Sequence, residues 1–427
     1  MADRMQWTNA LSTQPSLEAA ITEAVDGVRR ALPTTPDLAI ITIASAYASE
    51  YARLVPLLRE RLPVPALIGC GGSGIIGTRD GNSVEEIEDN PALSLTAACL
   101  PGVEVQPFHI GQDAMPDLDS GADAWTRLVG VAPERQPQLI LLADPLTAQT
   151  DDLLEGLDFV YPGSRKVGGL ASAAAMGRSS GLFCYDDRHP NDPLRREGTV
   201  GVALSGNITM DAIVAQGCRP VGPLYQVTQG ERNRISTVAE VGGEGMADAG
   251  ASPCSPLAAL REFVPQLSEA DQQLAQTSLF VGIARNEFKS ELEQGDFLIR
   301  TLMGVDPNSG AVAIGDRVRP GQRIRFHLRD ARTSAEDLEL LLSAYRDRQN
   351  EGSQAAGALL FSCLGRGRAL YGEPNVDSQL FCRYLNRTEL GGFFCNGEIG
   401  PVGDRTFVYG YTSSFAIFRE PDAARSA

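Results

Sequence analysis

Ala66-Leu-Ile-Gly-Cys-Gly-Gly-Ser-Gly-Ile-Ile-Gly77 decides how the rest of the chain is read. Its first three residues read as a short buried strand, and that strand runs directly into a glycine-rich segment, Gly69 to Gly77. Upstream, Leu38-Ala-Ile-Ile-Thr-Ile43 reads as another buried strand. Ala48 to Arg61 follows as an amphipathic helix carrying Tyr51, Leu54, Leu57 and Leu58. The order is strand, helix, strand, glycine loop.

That order recurs. Leu139-Ile-Leu-Leu142 is a strand, Leu146 to Leu157 a helix, and Lys166-Val167 leads into Gly168-Gly-Leu-Ala-Ser-Ala-Ala-Ala-Met-Gly177. Near the C-terminus Ala358-Leu-Leu-Phe361 is a strand, a polar-apolar segment follows, and Leu390-Gly391 leads into Gly392-Phe-Phe-Cys-Asn-Gly-Glu-Ile-Gly400. Gly69 lies 31 residues after Leu38, Gly168 lies 29 after Leu139 and Gly392 lies 33 after Leu359. Counted from each of these glycines, position +4 is Ser73, Ser172 or Asn396, and position +5 is Gly74, Ala173 or Gly397. Equal order at nearly equal spacing is the signature of an internal repeat.

Further strands follow each loop. Leu93 to Ala98 and Val103 to Ile110 flank the hairpin signal Pro101-Gly102. Gly181 to Tyr185 and Thr199 to Leu204 follow the second loop, and Phe407 to Tyr411 and Phe415 to Phe418 the third. Short turns imply antiparallel neighbours. The expected fold is therefore α/β with an α+β tendency: mixed, partly antiparallel sheets covered by helices, built from repeated β-α-β-glycine-loop-β-β units.

Between the second and third units the pattern changes. Phe280 to Ala284, Asp296 to Leu302, Ala311 to Ile314 and Arg323 to Leu328 read as a meander with a turn at Asp306 to Gly310. Ser334 to Arg348 reads as a helix with Leu338, Leu341 and Leu342 on its apolar side, capped by Ser334 with Asp337 three residues on. The opening segment Ser16 to Leu32 spaces Leu17, Ala20, Ile21, Ala24, Val25 and Val28 at helical intervals. Gly111 to Ser120 and Pro133 to Pro137 bracket a short helix, Gly242 to Pro256 reads as a linker, and the tail after Arg419 is polar. The expected organisation is an N-terminal helical extension over 1–37, a domain of two repeat units over 38–228, a second domain over 229–418 and a tail over 419–427.

The chain has 427 residues with 37 Lys+Arg against 54 Asp+Glu, a net charge of −17. An acidic excess without a basic run excludes nucleic acid and anionic membrane surfaces as partners. The start lacks the apolar core of a signal peptide and no stretch approaches a membrane span, so the expected location is cytoplasmic. Cysteines 70, 99, 184, 218, 254, 363, 382 and 395 form no Cys-x-x-Cys pair, which leaves structural zinc and a disulfide framework unsupported. All basic residues but Lys166 and Lys289 are arginine, so a cationic ligand-binding group is expected to be a guanidinium, suited to carboxylate or phosphate.

Gly69-x-Gly71-x-x-Gly74 matches the dinucleotide fingerprint in form but lacks the helix that must follow it, and no P-loop occurs. The glycine loops have two readings. They are tight backbone crossings where sheets meet, or carboxylate or phosphate cradles made of backbone N–H groups. Arg366, between two glycines just past a strand, suits a carboxylate; Glu398 in the third loop suits an ammonium group. Together they fit a zwitterion such as an amino acid, unless they pair with each other. A hydrolase would need Ser73, Ser172, Cys70, Cys363 or Cys395 as nucleophile and one of three histidines as base. His327 shares a strand face with arginines and is expected at an exposed or edge position, and His189 sits in a polar loop. His109 alternates with Val103 and Val105 and is expected to point inward, which makes it the candidate if haem is bound.

At these residues the chain resembles the FIST family of sensory domains. Ile68 to Gly77, Gly201-Val-Ala-Leu-Ser-Gly206, Val214-Ala-Gln-Gly-Cys-Arg-Pro-Val-Gly222 and Val227-Thr228 look like its N-terminal half. Phe361-Ser-Cys-Leu-Gly-Arg-Gly367 and Gly391 to Pro401 look like its C-terminal half. The resemblance implies a small-molecule-binding input domain, proposed for amino acids or related ligands, and not an established catalyst. Some relatives carry signalling modules or an F-box, for which this chain leaves no room, so output is expected through a separate protein or a homo-oligomer. Some bacterial relatives are haem-dependent nitric oxide sensors, which keeps His109 in play. The expected ligand-binding set, lying between the two halves, is Gly69, Cys70, Ser73, Gly74, Ser172, Arg366, Gly367, Cys395, Asn396, Gly397 and Glu398. No cofactor other than haem and no metal is expected.

Overall fold

The Ser16 hydroxyl accepts the Ala19 N–H at 3.3 Å and starts a helix whose six periodic apolar residues, Leu17 to Val28, are all buried. This helix, α1 (Leu17–Ala31), belongs to the first of three repeats in a computed structural model that describes residues 4–79, 83–173, 181–189, 192–242, 252–287, 289, 291–292, 294–349, 354–385 and 388–421. Residues 174–177 of the second glycine segment, 243–251 of the linker and 422–427 of the tail lie outside the described residues.

The first repeat runs β1 (Gln6–Ser12), α1, β2 (Leu38–Ala44), α2 (Tyr51–Arg61), β3 (Ala66–Gly72), β4 (Gly74–Arg79), β5 (Ser83–Glu88) and β6 (Leu93–Cys99). The second runs β7 (Val103–Ile110), α3 (Ala122–Val129), β8 (Gln138–Ala143), α4 (Thr150–Val160), β9 (Lys166–Leu170), β10 (Leu182–Asp186), β11 (Leu194–Arg195) and β12 (Thr199–Gly206). The third opens with β13 (Thr209–Ala215) and is interrupted by an insertion. In the insertion, β14 (Cys218–Glu231), β15 (Arg234–Glu240), α5 (Pro256–Phe263), α6 (Glu269–Ala275), β16 (Leu279–Ala284), β17 (Phe297–Val305), β18 (Val312–Ile314) and β19 (Arg323–Arg329) succeed one another. The repeat then resumes with α7 (Ala331–Arg348), β20 (Gly357–Cys363), α8 (Gly367–Tyr371), α9 (Val376–Tyr384), β21 (Leu390–Cys395), β22 (Glu398–Val402), β23 (Arg405–Tyr409) and β24 (Ser413–Arg419).

Two compact units result, residues 1–215 with 338–427, and residues 216–337. In the first unit each repeat contributes a parallel pair to one six-stranded sheet: β2 with β3, β8 with β9, β20 with β21. The next strand always crosses into another sheet. β4 leaves β3 and lies beside β21, β22 leaves β21 and lies beside β9, and β10 follows β9 in the chain but lies beside β3. The three sheets therefore interlock in a closed cycle with pseudo-threefold topology. Strands β2 and β20 are buried along their whole length, which is why they read as unbroken apolar runs. The second unit is a closed barrel in the order β14-β15-β18-β17-β16-β19, filled by residues such as Val281, Val312 and Phe326.

The mixed α/β fold and the repeat stand as read from the sequence; several local expectations do not. Gly69 to Gly77 and Gly392 to Gly400 are not loops: each is two strands broken only at Ser73 or at Asn396-Gly397. Pro101-Gly102 is no hairpin, because β6 and β7 belong to different sheets. The helix expected from Leu146 starts at Thr150, since the Asp144 carboxylate takes the N–H groups of Leu146 and Thr147 into a turn. Asp330, not Ser334, accepts the Thr333 N–H at the start of α7, at 2.7 Å. The N-terminal segment is more than a helix, for β1 pairs with β6 along its full length.

Candidate functional site

The repeat glycines sit at equivalent places. Gly69, Gly168 and Gly392 face Ile41, Leu141 and Leu360 across the parallel pairs, and a Cβ at any of them would overlap its partner's carbonyl oxygen. Close backbone approach, not ligand contact, demands glycine here. Four residues on, Ser73, Ser172 and Asn396 stand where each chain leaves its parallel pair.

The crossings meet one another. The Ser73 N–H donates to Ser172 Oγ at 2.9 Å, and Ser73 Oγ donates to the Ser172 carbonyl. Ser172 Oγ donates in turn to the Phe394 carbonyl. The Ser172 and Ala173 amides go to the Gly71 carbonyl and the Asn396 amide to the Leu170 carbonyl. An amide cradle was one expectation; these amides instead hold the crossings together. Ser73 and Asn396 nonetheless remain exposed, at the carboxyl ends of the parallel strands. Gly74 and Gly397 are spaced against Phe394 and Leu170, and Gly367, with φ 55°, against the Glu88 carboxylate.

Beneath the third crossing lies a buried polar cluster. Arg366 is fully buried, with Nε 2.7 Å from Asp377 Oδ2 and Nη2 2.8 Å from Asp377 Oδ1. Nη2 also lies 2.6 Å from the Tyr371 hydroxyl. The guanidinium therefore pairs with Asp377, neither standing open nor bonded to Glu398. Burial would raise the Asp377 pKa, but the Arg366 charge outweighs it and holds the carboxyl below its ordinary range. Glu398, also fully buried, accepts from the Thr412 N–H at 3.1 Å and its hydroxyl at 2.9 Å through Oε2. Its Oε1 has no hydrogen bond of normal geometry, although the Cys363 thiol lends some support to the carboxylate. Burial pushes the Glu398 pKa up to about 8. Glu86, from β5, accepts the Ser378 N–H at 2.8 Å and the Asn375 N–H at 3.1 Å at the start of α9. Burial and the nearby Asp377 charge raise its pKa to about 7.

Among the described residues, the position of Glu398 is apolar in the other two crossings. Glu398 faces Gly169, and the residues in the same register are Ile75, facing Phe393, and Leu182, facing Cys70. Ser362 faces Ser413 where the first repeat has Ile43 and Leu93 and the second Ala143 and Thr199. Asp377, Tyr371, Ser362, Ser413, Thr412 and Glu86 were not legible as site residues. Only the run Thr412-Ser413-Ser414 heading an otherwise apolar strand hinted at them.

Other candidates lack a catalytic setting. The Ser73 and Ser172 hydroxyls are donated to carbonyls. Burial drives the Cys70 and Cys395 thiols well above their ordinary pKa, away from the thiolate a nucleophile needs. His327 is fully buried, not exposed, because it packs edge-on against Phe297; burial lowers its pKa to about 4. His189 is exposed beside Asp186. His109 is half-buried on β7, on the face of Val103 and Val105, with Nε2 3.0 Å from the Glu197 carbonyl. That contact engages Nε2, the nitrogen a proximal histidine offers to iron, so His109 in this arrangement does not fit an axial haem ligand. A groove of about 1270 Å³ lies elsewhere, between α1 and β1, but its Glu23, Arg79 and Glu389 already bond Ser12, Glu85 and Asn9. Among the described residues no cluster could hold a metal and no helix is long and apolar enough to cross a membrane.

The FIST N domain matches residues 37–240 and the FIST C domain residues 256–401. Uncharacterized protein Rv0628c of Mycobacterium tuberculosis is 33% identical over 411 residues, 96% of this chain and 98% of its own length. Uncharacterized protein Mb0898c of Mycobacterium bovis is 33% identical over 95% of this chain and 97% of its own. An Arabidopsis thaliana F-box/LRR-repeat protein, At5g63520, is 23% identical over 93% of this chain and 80% of its own. The chain belongs to the FIST family. FIST domains are sensory domains for small ligands in signal transduction.

Proposed function

We propose that the protein is a cytoplasmic, non-catalytic sensor of an amino acid or a related small carboxylate, bound at the third crossing. Asn396 and Ser73 form the entrance, and Glu398 with Arg366 supplies the charge chemistry beneath. Cys395 and Gly397 shape the turn between them. The observation that carries this reading is asymmetry. Three equivalent crossings are built, two close with Ile75 or Leu182, and among the described residues only the third buries a carboxyl with a guanidinium beside it. The other two crossings close without such groups, so the crossing as such does not require them, and buried ionisable groups with shifted pKa values cluster at functional sites. The location agrees with the rule that α/β proteins bind ligands beyond the carboxyl ends of their parallel strands. Output then passes to a separate signalling protein or through self-association.

Thermal-shift measurement against amino acids and small carboxylates tests this. A stabilising ligand is expected, weakened by Asn396→Ala. A panel without effect, or a shift unchanged in that variant, would remove the assignment.

A further inference from the structure

The Asp377 carboxylate accepts from five donors, and every donor comes from outside its own helix. Arg366 Nε, Ser413 Oγ and Ser362 Oγ reach Oδ2 at 2.7, 2.6 and 3.2 Å. Arg366 Nη2 and the Tyr371 hydroxyl each reach Oδ1 at 2.8 Å. Ser362 is on β20, Arg366 just past it, Tyr371 on α8 and Ser413 on β24; only the carboxylate itself is supplied by α9. A bidentate guanidinium with three hydroxyls is a complete recognition set for a carboxylate. In the other repeats the serine pair is replaced by Ile43 with Leu93 and by Ala143 with Thr199, so the set is not a requirement of the sheets.

Resting on the ligand reading above, we propose that this donor set is a receptor for a small carboxylate, that Asp377 is its tethered occupant, and that a ligand carboxylate displaces it and frees the first turn of α9. The exchange leaves no guanidinium unpaired, because one carboxylate replaces another on the same donors. Proton and charge balance are kept: the ligand enters as the anion and Asp377 leaves as one. The segment before α9 is built to turn, since Gly372 and Asn375 hold φ of 75° and 67°. Once Asp377 is released, Glu86 still holds that turn, its carboxylate accepting the Asn375 and Ser378 N–H groups and its own N–H donating to Asn375 Oδ1. The far end of α9 reaches Glu339 of α7 through Arg383 and the Tyr384 hydroxyl, at 3.2 and 2.7 Å, so a shift of the helix has a path outward.

A tethered group competes at high effective concentration. Its removal should therefore open the receptor to a simple anion. In the full-length Asp377→Ala variant Tm is expected to fall by about 10 °C, and acetate should restore much of it where chloride at equal ionic strength does not. Hydrogen exchange in the wild type supplies an independent readout should that variant not fold: a stabilising amino acid should speed exchange across 376–384. Acetate acting no better than chloride overturns the receptor. A ligand that stabilises the wild type without altering exchange in α9 overturns the displacement while leaving the sensor reading intact. Acetate rescue of the variant with no wild-type response to the panel supports the receptor and removes the amino-acid reading.

Discussion

Glu398 stands in the third crossing where Ile75 stands in the first: each is the residue that faces the second position of a repeat's glycine strand, Gly169 in one case and Phe393 in the other. One site is closed by a side chain that asks nothing of its surroundings. The other buries a carboxyl whose Oε1 goes without a normal hydrogen bond. The difference costs stability.

Stability should depend on pH in a defined direction. Folding raises the Glu398 pKa to about 8 and the Glu86 pKa to about 7. The folded state thus holds protons the unfolded chain gives up, and stability falls as pH rises through those values. His327, lowered to about 4, acts oppositely at acid pH, gaining stability as pH rises towards its ordinary value. Both carboxyls lose protons between pH 7 and 8, so wild-type Tm should decline across that window, and Glu398→Gln, which keeps an acceptor for Thr412, should make the decline shallower.

Gly69→Ala, Gly168→Ala and Gly392→Ala should each destabilise by several kcal/mol, because the added methyl meets backbone that cannot yield. Gly163 has open space and φ of 80°, so Gly163→Ala should cost only about 1 kcal/mol. Urea unfolding of the four variants distinguishes a threefold framework from a single critical glycine.

Arg366→Ala leaves Asp377 buried without its counter-charge and should cost about 3–5 kcal/mol. Arg366→Met combined with Asp377→Leu should recover most of that loss while abolishing ligand response. Denaturation and thermal shift on the same samples separate the two effects.

Ser73→Ala removes an exposed hydroxyl that ties the first crossing to the second, and should cost about 1 kcal/mol. Asn396→Ala should leave stability within about 0.5 kcal/mol, since its side chain is exposed.

The framework was legible because its signals are local. Buried strands such as Leu38 to Ile43 are apolar throughout, α1 keeps helical spacing, and the glycines recur at fixed distance. The same spacing misled where the partner was remote. Nothing near Gly69 or Gly392 says that the following strand joins another sheet, so a strand crossing looked like a loop. Arg366 was recognised as a grip for a carboxylate, but Asp377, eleven residues on, lay within a segment read only as polar and apolar. His327 alternates with arginines as an exposed residue would, and packing against Phe297 and Gly282 hides it. The site was legible at its tips, Ser73, Ser172 and Asn396, and hidden at its base, where every contact is made across strands.

Native mass spectrometry of gently purified protein is the most direct test. The wild type should carry a small carboxylate or amino acid that is absent from Glu398→Ile, the variant that writes the first crossing's residue into the third. Equal occupancy in both proteins would contradict the proposal that the third crossing is the binding site.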